Sequence, residues 1–177
     1  MDFLYNVIMD KEKLAPGSIG FRPITDEDVE LLYRVYASTR EEEMAMTGWS
    51  KGQIEEFLRM QFTLQHTQYL RDYKNASFEI ILLDTVPIGR LYVDRRKNEI
   101  RILDIAFLPE FRGRGIGSKI LKELISEADE KKLPLNFHVD HNNPAQRLYE
   151  RLGFEKKELR GMHYFMERLP IKKKDEP

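Results

Sequence analysis

The stretch from residue 99 to residue 140 constrains the fold most, because its pattern changes from strand to helix and back to strand. Apolar and β-branched residues dominate 99–109, and apolar residues alternate with polar ones in 133–140. Between these runs an apolar stripe recurs at helical spacing: Ile116, Ile120, Leu121, Leu124, Ile125 and Ala128. A strand, a helix and a strand in this order predict two parallel neighbouring strands joined by a crossover helix.

The segments before the crossover predict a strand, two helices and a β-hairpin. The strand covers 19–25, and the helices begin after Thr25 and Ser50, each followed three residues later by a residue that can complete a capping box. The hairpin joins 76–84 to 86–96. Together with the first strand of the crossover, it predicts three antiparallel strands in a row.

A short helix and two last antiparallel strands are predicted after the crossover. The helix ends at Gly153, since glycine favours the position just past a helix end. The strands meet at a turn that contains Arg160 and Gly161. We therefore predict an α+β fold with α/β/α layers, in which helices cover both faces of a mixed, mostly antiparallel sheet of about seven strands with a parallel central pair.

Length and composition favour one globular domain. We expect it at 19–169, with an N-terminal extension at 1–18 and a flexible charged tail at 170–177. The 29 basic and 30 acidic residues give a net charge of −1, which argues against nucleic-acid binding. No apolar stretch approaches the ~20 residues that span a membrane, so we expect no membrane association and a cytoplasmic protein. The sequence leaves the oligomeric state open, and a homodimer is compatible with it.

The side chains that bind transition metals or act as thiol nucleophiles are scarce. The chain has no cysteine, which excludes disulfides, thiolate metal sites and a cysteine nucleophile. Its four histidines are scattered along the chain and do not predict a zinc site. We therefore expect chemistry that uses neither a protein thiol nor a bound metal.

A glycine-rich turn joins the first strand of the crossover to its helix. Gly113, Gly115 and Gly117 have no side chain, so successive backbone N–H groups can converge there on one anion. The helix start adds unpaired N–H groups and the positive end of its dipole. Three cations are close in sequence: Arg112, Arg114 and Lys119. The turn predicts a site for a phosphorylated ligand, with a pyrophosphate favoured. The alternative is a tight turn whose cations only face solvent.

The spacing of the glycines distinguishes among phosphate-binding motifs. A dinucleotide fingerprint requires glycine where this chain has Ser118, and the phosphate loop of nucleotide triphosphatases is absent. The string R-x-x-G-x-G is present in Arg112, Gly115 and Gly117. It resembles the pyrophosphate-binding motif of the GNAT superfamily of acyl-CoA-dependent N-acyltransferases. A second segment resembles that superfamily's N-x-x-A-x-x-L-Y-x-x-x-G-F pattern: Asn142, Ala145, Leu148, Tyr149, Gly153 and Phe154. With the order of elements, the resemblance extends over about 19–168.

The resemblance implies that the ligand is acetyl-CoA and assigns its contacts. The pyrophosphate would lie on the backbone N–H groups of 112–118, and the peptide-like pantetheine arm would pair along the strand that ends at 105–107. A backbone N–H near Phe107 would stabilise the oxyanion of the thioester. The implied cofactor-binding residues are Ile105, Ala106, Phe107, Arg112, Gly113, Arg114, Gly115, Ile116, Gly117, Ser118, Asn142 and Asn143. Of the two asparagines, the motif spacing favours Asn142.

The resemblance also implies catalytic candidates. Tyr149 stands where the family often has a tyrosine that returns a proton to the departing thiolate. Its alternative role is that of a core aromatic, because it shares an apolar stripe with Leu148 and Leu152. Asp104 is the candidate general base, because some relatives carry a carboxylate on this strand, and it could equally be a structural acceptor. His138 is a weaker candidate, since a lone histidine is more often structural than catalytic.

The segment 41–49 is interpreted as a polar connection between the first two helices, where this fold usually sets acceptor specificity. Its substrate-binding candidates Glu42, Glu43 and Trp49 would suit a cationic amine with some apolar surface, and the glutamates could equally form a solvated face. We expect an N-acetyltransferase that acts on a primary amine of a small molecule or peptide. Without a cysteine, direct attack within a ternary complex is favoured. The alternative is a non-catalytic CoA-binding sensor or interaction module.

Overall fold

The computed structural model describes residues 17–143 and 145–171, and its centre is a seven-stranded mixed sheet. The strands are β1 (Ile19–Pro23), β2 (Ser77–Leu83), β3 (Val86–Arg95), β4 (Ile100–Phe107), β5 (Leu135–Asp140), β6 (Glu155–Arg160) and β7 (His163–Arg168). They lie in the order β1-β2-β3-β4-β5-β7-β6, and of these neighbours β4 and β5 run parallel while the others run antiparallel. This sheet confirms the predicted fold. Apart from residues 17, 18, 170 and 171, the predicted extension at 1–18 and tail at 170–177 lie outside the described residues.

Within the described residues, five α-helices cover both faces of the sheet. They are α1 (Val29–Ser38), α2 (Glu41–Ala45), α3 (Lys51–Asp72), α4 (Ile116–Lys131) and α5 (Gln146–Arg151). On one face, Leu32 of α1 and Phe62 of α3 share a core with Ile80 of β2. On the other, α4 and α5 share a larger core with Phe137 of β5. None of the helices in the described ranges has the length and apolarity needed to cross a membrane.

Capping residues fix the starts of α1 and α3 as the sequence predicts. Before α3, the N–H of Gln53 donates to Ser50 Oγ at 3.4 Å, and the N–H of Ser50 donates to Gln53 Oε1 at 2.9 Å. Before α1, the N–H of Thr25 donates to Asp28 Oδ2 at 2.8 Å. These bonds satisfy N–H groups that a first helical turn leaves without partners.

The segment 41–45 is helical, whereas the sequence analysis predicts a polar connection there. Its three glutamates lie in the first turn, where the positive end of the helix dipole favours negative charge. Met44 is buried in the core formed by α1 and α3. Burial of the single apolar side chain of Met44 therefore stabilises a short helix in an otherwise charged segment.

Strand β4 contains a bulge. In its ladder with β3, Tyr92 pairs with Asp104 and Val93 pairs with Ile102, so Leu103 is an extra residue on β4. A bulge bends the strand and increases its twist. The bulge precedes the part of β4 that the resemblance assigns to the pantetheine arm.

Strands β4 and β5 separate soon after they meet. They pair only through Ile100 with Leu135 and Arg101 with Asn136. Beyond Arg101, the edge of β4 that faces β5 has no strand partner in the described part of the chain. The divergence expected from the resemblance is therefore present, and the sheet opens at its centre.

Candidate active site

The glycine-rich turn presents backbone N–H groups to open space. Gly113 (φ +70) and Gly115 (φ +74) adopt the left-handed conformation that other residues rarely reach. Gly115 is the N-cap of α4, so the N–H groups of the next three residues have no partner within the helix. A Cβ added to Gly115 would meet no atom within 4 Å. The turn therefore combines open space with the positive end of a 16-residue helix, an arrangement suited to phosphate.

The side chain of Arg112 clamps this turn to the rest of the fold. Its Nε donates to the carbonyl oxygen of Phe107 at 3.0 Å, and its Nη2 donates to Ser38 Oγ of α1 at 2.5 Å. Burial lowers its pKa, although the group remains charged at neutral pH. The guanidinium of Arg114 lies 5.2 Å from the ring centre of Phe111. Arg112 therefore fixes the position of the turn relative to the end of β4 and to α1.

Tyr149 lies in α5 and is fully buried, and its hydroxyl has no hydrogen-bond partner among the described residues. Its ring packs edge to face against Phe137, with the centroids 4.8 Å apart. Burial raises the pKa of the hydroxyl, which therefore keeps its proton at neutral pH. Ser118 Oγ, in the first turn of α4, is also buried without a partner in the described ranges. A buried polar atom left in this way costs about 1–3 kcal/mol, so both groups fit a site that a ligand completes.

Asp104 forms a buried ion pair with Arg90 of β3, with Oδ2 and Nη2 2.5 Å apart. Burial raises the pKa of Asp104, and the Arg90 guanidinium opposes that shift. On the same side of β4, the hydroxyl of Tyr69 donates to the carbonyl oxygen of Leu103, the extra residue of the bulge, at 3.3 Å. The hydrogen bond holds the bulge against α3, and the ion pair joins the bulged part of β4 to β3.

The two candidate asparagines have different surroundings. Asn142 is exposed, and its backbone N–H donates to Asp140 Oδ1 at 2.7 Å. Asn143 is buried, and its Oδ1 accepts from the N–H of Ala145 at 2.8 Å, one residue before α5 begins. The side-chain oxygen of Asn143 therefore positions α5, whereas the side chain of Asn142 is accessible to a ligand.

The predicted acceptor residues lie around α2. Glu43 forms an ion pair with Arg40 at 3.0 Å, and both line an open cavity of about 430 Å³ between α1, α2 and α3. Trp49 is about half exposed and packs edge to face on Phe57, with the centroids 5.2 Å apart. Glu42 and Trp49 do not line that cavity. Of the three candidates, Glu43 therefore lies in this cavity.

A second cavity, of about 340 Å³, lies where β4 and β5 diverge. It is lined by the bulge residues Ile102 and Leu103 and by His138 of β5. Its other lining residues come from β4, the end of α3 and the β6–β7 hairpin: Arg101, Tyr73, Arg160 and His163. Among these residues, the sequence analysis identifies only His138 as a functional candidate. No local motif marks the others, since they come from distant parts of the chain and meet only in the folded sheet.

Comparison with known proteins agrees with this geometry. Residues 31–154 match the Acetyltransferase (GNAT) family. The chain is 29% identical over 138 residues to the [ribosomal protein bS18]-alanine N-acetyltransferase of Haemophilus influenzae. The aligned region covers 77% of this chain and 82% of that protein.

Solved structures resemble the fold. The PaiA N-acetyltransferase of Thermoplasma acidophilum, in complex with coenzyme A, superimposes with a TM-score of 0.64 at 21% identity, over 86% of this chain and 99% of the other. The ribosomal-protein-S18-alanine N-acetyltransferase of Escherichia coli gives a TM-score of 0.58 at 17% identity, over 90% and 99% of the two chains. At these identities the likeness concerns the fold. Because the family match spans most of the chain, the protein belongs to the GNAT family of acetyltransferases and is an N-acetyltransferase with acetyl-CoA as its acetyl donor.

Proposed function

We propose that this enzyme acetylates a primary amine at the N-terminus of a peptide or protein, by direct attack within a ternary complex. The observation that carries the proposal is the edge of β4 beyond Arg101, which has no strand partner among the described residues. Along the chain, this edge runs from the residues that line the cavity at the β4–β5 divergence to the glycine turn. The name of the Haemophilus relative supports a peptide acceptor. The absence of cysteine supports direct transfer without a thiol intermediate.

In this proposal the backbone binds the cofactor. The N–H groups of 113–118 hold the pyrophosphate, while the edge of 105–107, which has no strand partner in the described part of the chain, pairs with the pantetheine arm as an added strand would. Arg112 keeps these two parts in register, because it bonds both to Phe107 and to α1. Bound acetyl-CoA supplies a thioester carbonyl that a neutral amine can attack.

Tyr149 is proposed to donate its phenolic proton to the sulfur as the carbon–sulfur bond breaks and the carbon–nitrogen bond forms. Its hydroxyl is protonated and, among the described residues, has no internal acceptor that would compete for the proton. We assign removal of the amine proton to His138 rather than to Asp104. His138 lines the cavity and burial lowers its pKa, which keeps the imidazole neutral at pH 7, whereas Asp104 is bound by Arg90.

The proposal is tested by following CoA release with acetyl-CoA and a panel of peptides, amino acids, polyamines and aminoglycosides. We expect release with peptide amines above the rate of hydrolysis. Acetyl-CoA alone should raise the melting temperature, since a ligand at 100 times its Kd adds about 2.7 kcal/mol to the free energy of unfolding. Stabilisation by acetyl-CoA without release from any amine would instead indicate a CoA-binding sensor.

Replacing Gly115 with glutamate should weaken CoA binding by about 100-fold or more, because the carboxylate would occupy the space in front of the turn and repel the pyrophosphate. The matched control is Gly48→Glu. Gly48 also has a left-handed conformation (φ +70) and open space at its Cβ, but it lies between α2 and α3. Both variants should lose a similar amount of stability from backbone strain. Isothermal titration calorimetry with CoA compares them, and equal affinities would rule out the turn as the pyrophosphate site.

A further inference from the structure

The cavity at the β4–β5 divergence is lined by the part of β4 that precedes the segment assigned to the pantetheine arm. Ile102 and Leu103 line it, and they precede by only a few residues the segment 105–107 that would pair with the pantetheine arm. Its volume of about 340 Å³ is within the usual range of small-ligand sites, roughly 300–1,000 Å³. It could enclose the first residues of a peptide.

The lining of this cavity is basic. Of the described residues that form it, two are arginines, Arg101 and Arg160, two are histidines, and none is acidic. Arg101 is held in place, since its Nε donates to Asn136 Oδ1 at 3.0 Å and its Nη2 lies 3.2 Å from Glu99. Glu99 also forms an ion pair with Arg96 at 2.8 Å, so the negative charge of Glu99 is shared between two guanidinium groups.

Arg160 approaches the cavity from the β6–β7 hairpin. It forms a surface ion pair with Glu158 at 2.7 Å, and its side chain is 65% exposed. Such an exposed pair is weak and is readily exchanged for another anion. Leu159 and Met162 of the same hairpin are also exposed.

The positive charges of the lining act on His138, one of its two histidines. Burial lowers the pKa of His138, and the charges of Arg101, Arg160 and His163 lower it further, opposed by Glu158. A cationic ligand would meet the same positive field as a protonated imidazole. Polyamines and aminoglycosides, which carry several positive charges, are therefore poorly matched to this cavity.

We propose that the preferred acceptor is a peptide N-terminus with an acidic residue at its second or third position, whose carboxylate is held by Arg101 and Arg160. This inference rests on the proposed function and names the acceptor class of the same site. It differs from the expectation based on Glu42 and Glu43, which lie around α2 and do not line this cavity.

The test uses three peptides that share an alanine N-terminus and differ only at position two, which is aspartate, asparagine or lysine. The full-length enzyme is assayed for CoA release at low ionic strength. We expect kcat/KM to fall in the order aspartate, asparagine, lysine, with about a tenfold difference between the first and last. The difference should shrink as salt is added, because salt screens exposed charges.

Arg160→Gln should remove most of the preference for aspartate over asparagine. The matched control is Lys157→Gln: Lys157 is on the same strand and pairs with the acid two residues before it, Glu155, as Arg160 pairs with Glu158, but it does not line the cavity. The control should keep the wild-type order of peptides. An unchanged order in Arg160→Gln would overturn the role of Arg160.

Equal rates with all three peptides, or a faster rate with lysine, would overturn the acidic-acceptor inference and leave the acetyltransferase intact. CoA release with polyamines but not with peptides would overturn the inference and the peptide acceptor of the proposed function, and would leave the acetyltransferase activity intact. The absence of release with every amine would overturn both the inference and the proposed function.

Discussion

Replacing Tyr149 with phenylalanine is expected to lower kcat by about 10²- to 10⁴-fold, the usual contribution of a positioned proton donor. The affinity for acetyl-CoA should change little, since the hydroxyl is proposed to act on the departing sulfur rather than to hold the cofactor. Stability should be unchanged or slightly higher, because the variant removes a buried hydroxyl without a partner among the described residues and keeps the ring against Phe137. Assays of CoA release, calorimetry and thermal denaturation measure the three quantities.

Tyr36→Phe provides the opposite pattern as a control. The hydroxyl of Tyr36 donates to Gln61 Oε1 at 3.0 Å, so its loss should lower the free energy of unfolding by about 1 kcal/mol and leave kcat near the wild-type value.

The pH dependence of kcat provides a second check on Tyr149. Because burial raises the pKa of Tyr149, the hydroxyl should stay protonated up to about pH 10, and kcat should show no loss from its deprotonation in that range. An unchanged kcat in Tyr149→Phe would show that the residue is only a core aromatic.

Arg90→Met is expected to reduce the free energy of unfolding by about 3–5 kcal/mol, because it leaves the carboxylate of Asp104 buried without its counter-charge. The loss should be larger at pH 8 than at pH 5. Burial already raises the pKa of Asp104, and without Arg90 that pKa rises further, so the native state holds a proton that the unfolded chain releases. A native state that binds more protons loses stability as the pH rises. Denaturant titrations at the two pH values measure the difference.

The double variant Arg90→Met with Asp104→Leu separates stability from positioning. Replacing both charges with apolar side chains should recover most of the lost stability. If the pair also positions the bulge, kcat should stay about 10- to 100-fold below wild type, since small displacements of reacting groups are costly. Full recovery of both stability and kcat would show that the pair is structural alone.

The order of elements could be predicted because local patterns determine it. The apolar stripe of α4, the capping residues Ser50 and Thr25, and the glycine after α5 each act over a few residues. The short helix α2 could not be predicted in this way, because burial of Met44 depends on where α1 and α3 lie. The glycine turn was found by its motif, and its open space and left-handed glycines agree with the predicted anion site.

The partner of Asp104 could not be predicted, because the bulge changes which face of β4 it occupies. Strict alternation would place Asp104 on the same face as Ile102, under α4. The extra residue Leu103 shifts Asp104 to the face of Tyr92, where Arg90 and α3 lie. A single inserted residue thus decides whether this carboxylate meets an apolar core or a cation.

The opening in the centre of the sheet divides its hydrogen bonding but not its packing. The first four strands and the last three share a ladder of only two residue pairs. Yet one apolar core runs beneath both groups, with Ile102 and Phe137 in it on either side of the gap. The two groups of strands are therefore not separable modules, and a ligand can occupy the gap without dividing the protein's cooperative folding unit.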